Sequence, residues 1–397
     1  MMTDVKTLKQ AVSPIIWLNC IFCMGIFELP INRPRYFLSI FYAISILIIY
    51  FFLLYEGICI FLEAFSSDFI IFQFVMGVNI MVAILAIILF WWKSENMTNI
   101  IKKTSMVDNT LKTLGLKPEY PKIFRNVLYL IIVWTVGMII VGITNILWMY
   151  HETGYGSAFL CSICICFPIM INSIVGVTFA SFIRCIQQKF QKINDLVDNI
   201  VLCVNKSNTI KIHNQHNNTS ITFVMANYKS HKNKIMHLIQ TLRILHLEIT
   251  KIGQQINHAY CLQLLLEMAV HFTVVTATTY CLYRVFSGHL MIAGEKVLDM
   301  ALWGCIYSVK IILVNCLCTS VSTEAYKTGE IIQSFEGSII DDDMREEIRQ
   351  FTQQVVLNSL NFTASGFFTI DNSLTGKFFA TVTTYVVILI QMNVSAN

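Results

Sequence analysis

Three polar side chains recur at every fourth residue inside an otherwise apolar stretch of the chain. They are Gln263, Glu267 and His271, which share one face if the stretch is helical. Lys310 lies inside a second apolar stretch. Because a charge within a membrane span costs about 2.5–3.5 kcal/mol on insertion scales, both charges need a compensating environment. We therefore predict an intramembrane Glu267–Lys310 pair; separate contacts with a wet cavity or the membrane surface are the alternative.

A second set of side chains combines aromatic rings with hydrogen-bonding groups towards one end of the apolar stretches. Its members are Asn145, Trp148, His271, Thr276, Trp303 and Tyr307. This chemistry is typical of a cavity that binds a small organic molecule. Trp148 and Trp303 also fit the aromatic belt at a membrane surface, so the pattern leaves both interpretations open.

The last apolar stretch carries a stripe of residues along one helical face. The stripe consists of Thr384, Tyr385, Ile388, Gln391 and Met392. Such a face either packs against neighbouring helices or lines a pore, in which apolar rings close the path by dewetting and an amide contacts ions. The pattern alone does not decide between these two roles.

No short motif with known enzymatic mechanics occurs in the chain. The thirteen cysteines lie mostly inside apolar runs, where cysteine behaves as a small buried hydrophobe. No cluster of Cys and His has the spacing of metal ligands. We therefore predict that the protein is not an enzyme and has no catalytic residues, no metal site and no cofactor.

The elements that position these residues are predicted to be membrane-spanning helices. Hydrophobic residues make up 55% of the 397 residues and charged residues 13%, about half of the ~25% usual in soluble domains. With a mean hydropathy of +0.63, this composition excludes a soluble enzyme and a nucleic-acid-binding domain. Seven stretches can cross a bilayer as helices: Tyr36–Leu62, Phe69–Trp92, Val127–Trp148, Phe159–Ile183, Cys261–Tyr283, Val297–Thr319 and Phe378–Met392.

The distribution of Lys and Arg predicts how these spans are oriented in the membrane. When the segments between spans are assigned alternately to two sides, 24 of the 28 basic residues lie on one side and two on the other. Because basic loops stay in the cytosol, the N-terminus is predicted to be cytosolic and the C-terminus extracellular. G-protein-coupled receptors have the opposite orientation and rely on proline kinks in their later helices, whereas the last proline here is Pro168.

The predicted fold class is therefore all-α, a polytopic protein with seven transmembrane helices. A shorter apolar segment, Ala11–Phe27, has basic residues on both sides and is predicted to be an interfacial helix rather than a span. The predicted regions are a cytosolic N-terminal segment (1–35), spans one to four (36–183), a cytosolic loop with helical extensions (184–260), spans five and six (261–319), a cytosolic loop with a further helix (320–377), and span seven with a short tail (378–397).

The final stripe belongs to a longer sequence pattern. Thr384-Tyr385, five apolar residues and Gln391-Met392 resemble the TY-x5-QF signature that closes the insect gustatory receptors, with Met392 in place of the Phe. The segments Phe367–Asp371 and Pro14–Phe27 also resemble corresponding parts of that family. Length, seven spans and predicted orientation extend the resemblance over the whole chain.

The resemblance implies a ligand-gated, non-selective cation channel in the plasma membrane of sensory neurons, opened by a small-molecule tastant. Tyr385 would occupy the position of the signature's Tyr, Ile388 and Met392 would form a hydrophobic gate, and Gln391 would be the polar residue beside it. The tastant would bind in the outer half of each subunit. Four subunits, identical or mixed with related receptors, would assemble through a cytosolic anchor formed by extensions of spans four to seven.

Two other functions remain as alternatives at this point. Glu267, His271 and Lys310 could form the proton relay of a membrane transporter. A receptor that couples to G proteins is the second alternative, but it requires the opposite orientation.

Overall fold

Helices form almost all of the regular structure, as the long apolar runs predict. The structure is a computed structural model that describes residues 5–27, 34–64, 70–214, 221–288, 293–334 and 342–395. Its elements are α1 (Leu8–Ala11), α2 (Ser13–Ile21), α3 (Tyr36–Ala64), α4 (Ile70–Thr113), α5 (Tyr120–Thr153), α6 (Tyr155–Asn214), α7 (Ile221–Phe286), α8 (Gly294–Gln333), α9 (Asp342–Leu357), β1 (Thr363–Ala364), β2 (Phe368–Thr369) and α10 (Asn372–Ser395).

Seven helices in the described part of the chain are long and apolar enough to cross a membrane. They are α3 to α8 and α10. The predicted all-α architecture with seven membrane-spanning helices is therefore confirmed. Each predicted span corresponds to one of these helices, although the first residue of the second span, Phe69, lies outside the described residues.

The two longest helices extend far beyond a bilayer. α6 has 60 residues and α7 has 66. At 1.5 Å per residue these helices are about 90 and 100 Å long, against ~30 Å of hydrocarbon. The predicted boundaries at 183/184 and 260/261 therefore lie inside continuous helices, so the segment between the two spans consists largely of helical extensions.

α4 also continues well past Trp92, the predicted end of its span. Beyond Trp92, the residues Ile100, Val107 and Leu111 recur at near-helical spacing, and each is less than a tenth exposed. This face packs against α6 and α7. The amphipathic pattern of the segment therefore forms a helix that is stabilised by tertiary burial.

In place of the predicted helix Ala11–Phe27, the structure has two shorter helices, α1 and α2, and the second ends at Ile21. Thr7 and Gln10 form a capping box at the start of α1, and Pro14 lies in the first turn of α2. Ala11 and Ile15 are fully buried, and both helices pack against α5. The segment is therefore attached to the bundle through one face.

α6 is the central helix, since it packs against α3, α4, α5, α7 and α8. The parts of α4, α6, α7 and α8 beyond their spans form, with α9, a second bundle that we call the anchor. In its core, the His246 ring lies 5.1 Å from that of Phe190 and 5.7 Å from that of Phe351. Arg243 on α7 pairs with Glu347 on α9 at 2.5 Å, which fixes α9 against the bundle.

A short hairpin connects the anchor to α10. β1 and β2 pair antiparallel, with Thr363 opposite Thr369. Asn257 on α7 accepts a hydrogen bond from the Thr363 amide at 3.1 Å and donates one to the Thr363 hydroxyl at 3.3 Å. These bonds attach the start of the hairpin to α7, so the hairpin links the position of α10 to the anchor.

Asp371 immediately precedes α10 and caps its first turn. Its Oδ1 accepts hydrogen bonds from the Ser373 hydroxyl at 2.7 Å and from the Leu374 amide at 2.9 Å. The bond from Ser373 is the largest of the effects that lower the pKa of Asp371 below its ordinary value. The cap therefore remains ionised at neutral pH and stabilises the first turn of α10.

Replacing Asp371 by alanine is expected to destabilise the start of α10 by about 1 kcal/mol, because the cap acceptor is lost. Asp371→Asn keeps an acceptor oxygen and should lose less. Because the pKa of Asp371 is lower in the folded protein than in the unfolded chain, its charge stabilises the folded state at pH values above the ordinary aspartate pKa. This stabilisation is lost as the pH falls through the pKa of the folded state. Thermal unfolding of the purified variants measures the effect; equal melting temperatures for wild type and Asp371→Ala would contradict the cap.

Candidate ligand site and pore helix

Two charged residues within the spans form a pair between α7 and α8. Lys310 Nζ lies 3.2 Å from Glu267 Oε2, and the two side chains are 20% and 6% exposed. Gly176 on α6 makes room for them, because a Cβ there would lie 3.1 Å from Lys310 Cε and 3.4 Å from Glu267 Oε2. The structure therefore brings the two predicted residues together, in contact with a third helix.

Two asparagines that the sequence analysis did not select extend this pair towards α4. Lys310 Nζ donates to the Asn172 carbonyl at 3.2 Å, and Asn172 Nδ2 donates to the Asn79 carbonyl at 3.1 Å. Asn79 Oδ1 accepts a hydrogen bond from the Tyr307 hydroxyl at 3.2 Å. Glu267 Oε1 and Asn172 Oδ1 are buried without a hydrogen-bond partner among the described residues. This network therefore retains free acceptors in the interior of the bundle.

Three of the six candidate ligand residues form an aromatic stack beside this network. The His271 ring lies 5.1 Å from that of Tyr307, and Trp303 stacks on Tyr307 at 6.0 Å with an interplanar angle of 10°. His271 Nδ1 donates to the Glu267 carbonyl, which leaves Nε2 as an acceptor. Within the described part of the chain, this Nε2 has no hydrogen-bond partner. The stack therefore begins at the ion pair and continues towards the N-terminal end of α8.

The other three candidates are also buried. Asn145 Nδ2 donates to Cys166 Sγ at 3.5 Å, and Trp148 packs edge-to-face on Phe72 at 6.4 Å. Trp148 and Trp303 are 5% and 8% exposed, so they are interior residues and not members of an exposed aromatic belt. Thr276 is buried on α7, but no hydrogen bond among the described residues joins its hydroxyl to the other five.

Asp299 is a site residue that the sequence analysis missed. It lies on α8 one turn before Trp303, and only 6% of it is exposed. The Thr144 hydroxyl and the indoles of Trp148 and Trp303 lie beside its carboxylate. Nevertheless, neither Asp299 Oδ1 nor Trp303 Nε1 completes a hydrogen bond within the described residues. A search for charges inside the predicted spans could have found it, because Asp299 belongs to the sixth span.

An apolar cavity of about 380 Å³ is connected to this group of residues through Phe72. It lies between α3, α4 and α6, and its lining includes Phe61, Phe72, Met76, Cys161 and Ile165. Phe72 contacts both the cavity and the Trp148 ring. A volume of this size suits a small organic molecule, and Phe72 joins the cavity to Trp148 on α5.

α10 presents one packed face and one open face. Phe378, Val382 and Val386 are each less than a tenth exposed, and the helix packs against α7 and α8. The predicted pore residues are all exposed in the single chain: Tyr385, Ile388, Gln391 and Met392. The structure therefore places the predicted stripe on the open face.

One residue of α7 links the aromatic stack to α10. The Phe272 ring lies edge-to-face with that of Tyr385 at 5.3 Å and with that of Phe378 at 6.1 Å. Its neighbour in the chain, His271, contacts Tyr307 on the other side of α7. A displacement of this turn of α7 would therefore move side chains that contact both the aromatic stack and α10.

The chain is similar to insect taste receptors in parts of its sequence. It is 31% identical over 147 residues to gustatory and pheromone receptor 32a of Drosophila melanogaster, and 30% identical over 144 residues to gustatory receptor 68a of the same species. These matches cover 37% and 35% of this chain. They span only about a third of each relative, namely 32% and 36% of its length.

The fold is similar to that of the insect olfactory receptor OR5 from Machilis hrabei, with a TM-score of 0.66 at 12% identity over 97% of this chain and 98% of that chain. The TM-score is 0.69 for the same receptor in complex with eugenol, with the same identity and coverage. At this identity the likeness concerns the fold alone. The model of the family described as 7tm chemosensory receptor matches residues 16–394. The chain therefore belongs to the 7tm chemosensory receptor family.

Proposed function

We propose that this protein is a subunit of a ligand-gated, non-selective cation channel that a small organic tastant opens. The observation that carries the proposal is the pair of faces on α10. One face packs on α7 and α8, whereas the exposed face carries Tyr385, Ile388, Gln391 and Met392. In an assembly of four subunits around a central axis, these exposed faces line the pore.

The chemistry of the open face suits a gate. Ile388 and Met392 are 43% and 63% exposed and lie one turn apart. Rings of such side chains exclude water from a narrow pore and so block ions, while the Gln391 amide offers a polar group at the same level. Movement of α10 widens the rings and admits water and cations.

The ligand site in this proposal lies among α5, α7 and α8, and Phe72 connects it to the apolar cavity. The buried stack of His271, Tyr307 and Trp303 supplies aromatic surface, and the free His271 Nε2 supplies a hydrogen-bond acceptor. The olfactory receptor with the same fold has been solved in complex with eugenol, a small aromatic compound, which supports a ligand of similar size. Phe272 then transmits ligand-induced shifts of α7 to Tyr385.

Assembly through the anchor is supported by apolar side chains on its surface. These residues are between 53% and 81% exposed in the single chain: Ile244, Tyr326, Val356 and Leu357. The excess of basic residues near the anchor supports a cytosolic position, in which lipid would not cover these side chains. Contacts with three further subunits, identical or related, would bury them.

Currents from purified protein in planar bilayers test the proposal. A tastant is expected to evoke unitary cation currents without any G protein. Trp303→Leu should raise the half-maximal tastant concentration by about tenfold, since aromatic contacts are worth up to about 1.5 kcal/mol beyond area burial, while the unitary conductance stays unchanged. Trp92→Leu is the matched control, because Trp92 is 80% exposed on α4.

Two results would overturn the proposal. Flux that is coupled to pH and occurs without unitary currents would favour the transporter with a Glu267, His271 and Lys310 relay. Equal effects of Trp303→Leu and Trp92→Leu would contradict the assigned ligand site.

A further inference from the structure

Asp299 is a buried acidic side chain that forms no ion pair with a basic residue in the part of the chain that the structure describes. Glu267, the buried acid of α7, pairs with Lys310. Asp299 is equally buried, at 6% exposed, yet its Oδ1 has no hydrogen-bond partner among the described residues. An uncompensated carboxylate in such a place is unfavourable, so the arrangement suits a site that receives its positive charge from a bound molecule.

The groups around Asp299 are those that recognise organic cations. The indoles of Trp148 and Trp303 lie beside the carboxylate, and the faces of Trp rings attract positive charge. Trp148 shows this attraction within the chain, because Lys296 Nζ lies 5.1 Å from the centre of its ring. One acidic group and two indoles therefore lie together where α5 and α8 meet.

The apolar cavity reaches this site through Phe72 and provides space for the rest of the ligand. Phe72 lines the cavity and contacts Trp148. On α6, Ile165 lines the cavity, and the next residue, Cys166, accepts a hydrogen bond from Asn145. A ligand that enters beside Phe72 can place its apolar body in the cavity and its charged head group near the indoles.

We infer that the ligand of this receptor is an organic cation with an apolar or aromatic body, bound through Asp299, Trp148 and Trp303. This inference rests on the proposed function, since it names the ligand class of the same site.

A pair of isosteric probes tests the inference on the full-length protein in lipid nanodiscs. Phenyltrimethylammonium carries a permanent positive charge, and tert-butylbenzene has the same shape without the charge. Equilibrium binding of labelled phenyltrimethylammonium, with each compound as competitor, measures the two affinities. The cation is expected to bind about 30-fold more tightly or better, because a buried charge pair is lost with the neutral compound. Equal competition by the two compounds would overturn the inference, and this comparison needs no variant.

Substitutions then locate the recognition. Asp299→Asn should weaken binding of phenyltrimethylammonium by about 30-fold or more, whereas Asp299→Glu keeps the charge and should lose less. Trp303→Leu should weaken it by about 2- to 30-fold through the lost cation–π contact. Asp343→Asn, at an exposed position on α9, is the matched control and should leave the affinity unchanged. Equal affinities of Asp299→Asn and wild type would place the cation elsewhere and overturn the inference.

Binding and current separate this inference from the proposed function. Binding in nanodiscs does not require the channel to open, so cation binding that depends on Asp299 without any evoked current would contradict the channel and support the site. Tastant-evoked currents from neutral compounds, with no binding of phenyltrimethylammonium, would support the channel and contradict the inferred ligand class.

Discussion

A variant in which Lys310 is replaced by methionine is expected to unfold at a clearly lower temperature than the wild type. The substitution keeps the length of the side chain but leaves Glu267, which is 6% exposed, without its ion-pair partner. Removal of one partner from a buried pair costs about 3–5 kcal/mol, because the remaining charge stays in a medium that solvates it poorly. We expect the melting temperature of the detergent-solubilised protein to fall by about 5 °C or more. Size-exclusion chromatography of heated, fluorescently tagged protein measures this value.

A double variant distinguishes the loss of the pair from a general loss of packing. Glu267→Gln combined with Lys310→Met removes both charges and should recover most of the stability lost in Lys310→Met. The matched control is Arg345→Met, which breaks the exposed pair with Asp342 and should change the stability by less than about 1 kcal/mol. If Lys310→Met melts like the wild type, the pair contributes nothing and Glu267 is neutral or solvated by other groups.

The second large effect is expected at the proposed gate. Ile388→Thr should produce current in the absence of ligand, because a hydroxyl on each subunit favours water in the closed constriction. Removal of one CH2 group from water contributes about 0.8 kcal/mol, and the substitution occurs in all four subunits. The combined change therefore exceeds the ~1.4 kcal/mol that alters an equilibrium constant tenfold. We therefore expect the basal open probability to increase by about tenfold or more. Single-channel recording in planar bilayers measures it directly.

Val387 offers a close control for this experiment. It precedes Ile388 on α10, and the two side chains are 45% and 43% exposed. Because successive helical residues point about 100° apart, Val387 points away from Ile388, on the side of Gln391. Val387→Thr makes the same kind of change at nearly the same depth and should raise the basal current less than Ile388→Thr. If Val387→Thr and Ile388→Thr open the channel equally, the stripe is not the pore-lining face.

The regions that could be predicted from the sequence are those in which the information is local. A run of about 20 apolar residues has few stable arrangements other than a spanning helix, so all seven spans were found. The stripe at Tyr385, Ile388, Gln391 and Met392 follows from helical periodicity, which is also local. The α4 extension was missed because its apolar residues are spaced among lysines, and only the packing against α6 and α7 makes that face a buried one.

The candidate site depended on contacts between residues that are far apart in the chain. Glu267 and Lys310 were predicted as partners from depth alone, but the space for them is made by Gly176 on α6. Nothing in the local sequence says that Asn172 would accept from Lys310, or that Asn79 would accept from Tyr307. Such contacts depend on the lateral order and rotation of the helices, which hydrophobic periodicity leaves open.

The sequence by itself therefore determined the fold class and the seven spans, and it showed that the C-terminal stripe belongs to a family pattern. The reason is that a run of apolar residues in a membrane must form a helix to satisfy its own backbone hydrogen bonds, which depends on the local sequence. Only the tertiary structure decided which polar side chains meet inside the bundle. It placed Asp299 beside two indoles and left α10 covered on one side only. The physical reason is that the hydrophobic effect drives burial without direction, whereas hydrogen bonds and ion pairs need particular partners at particular distances.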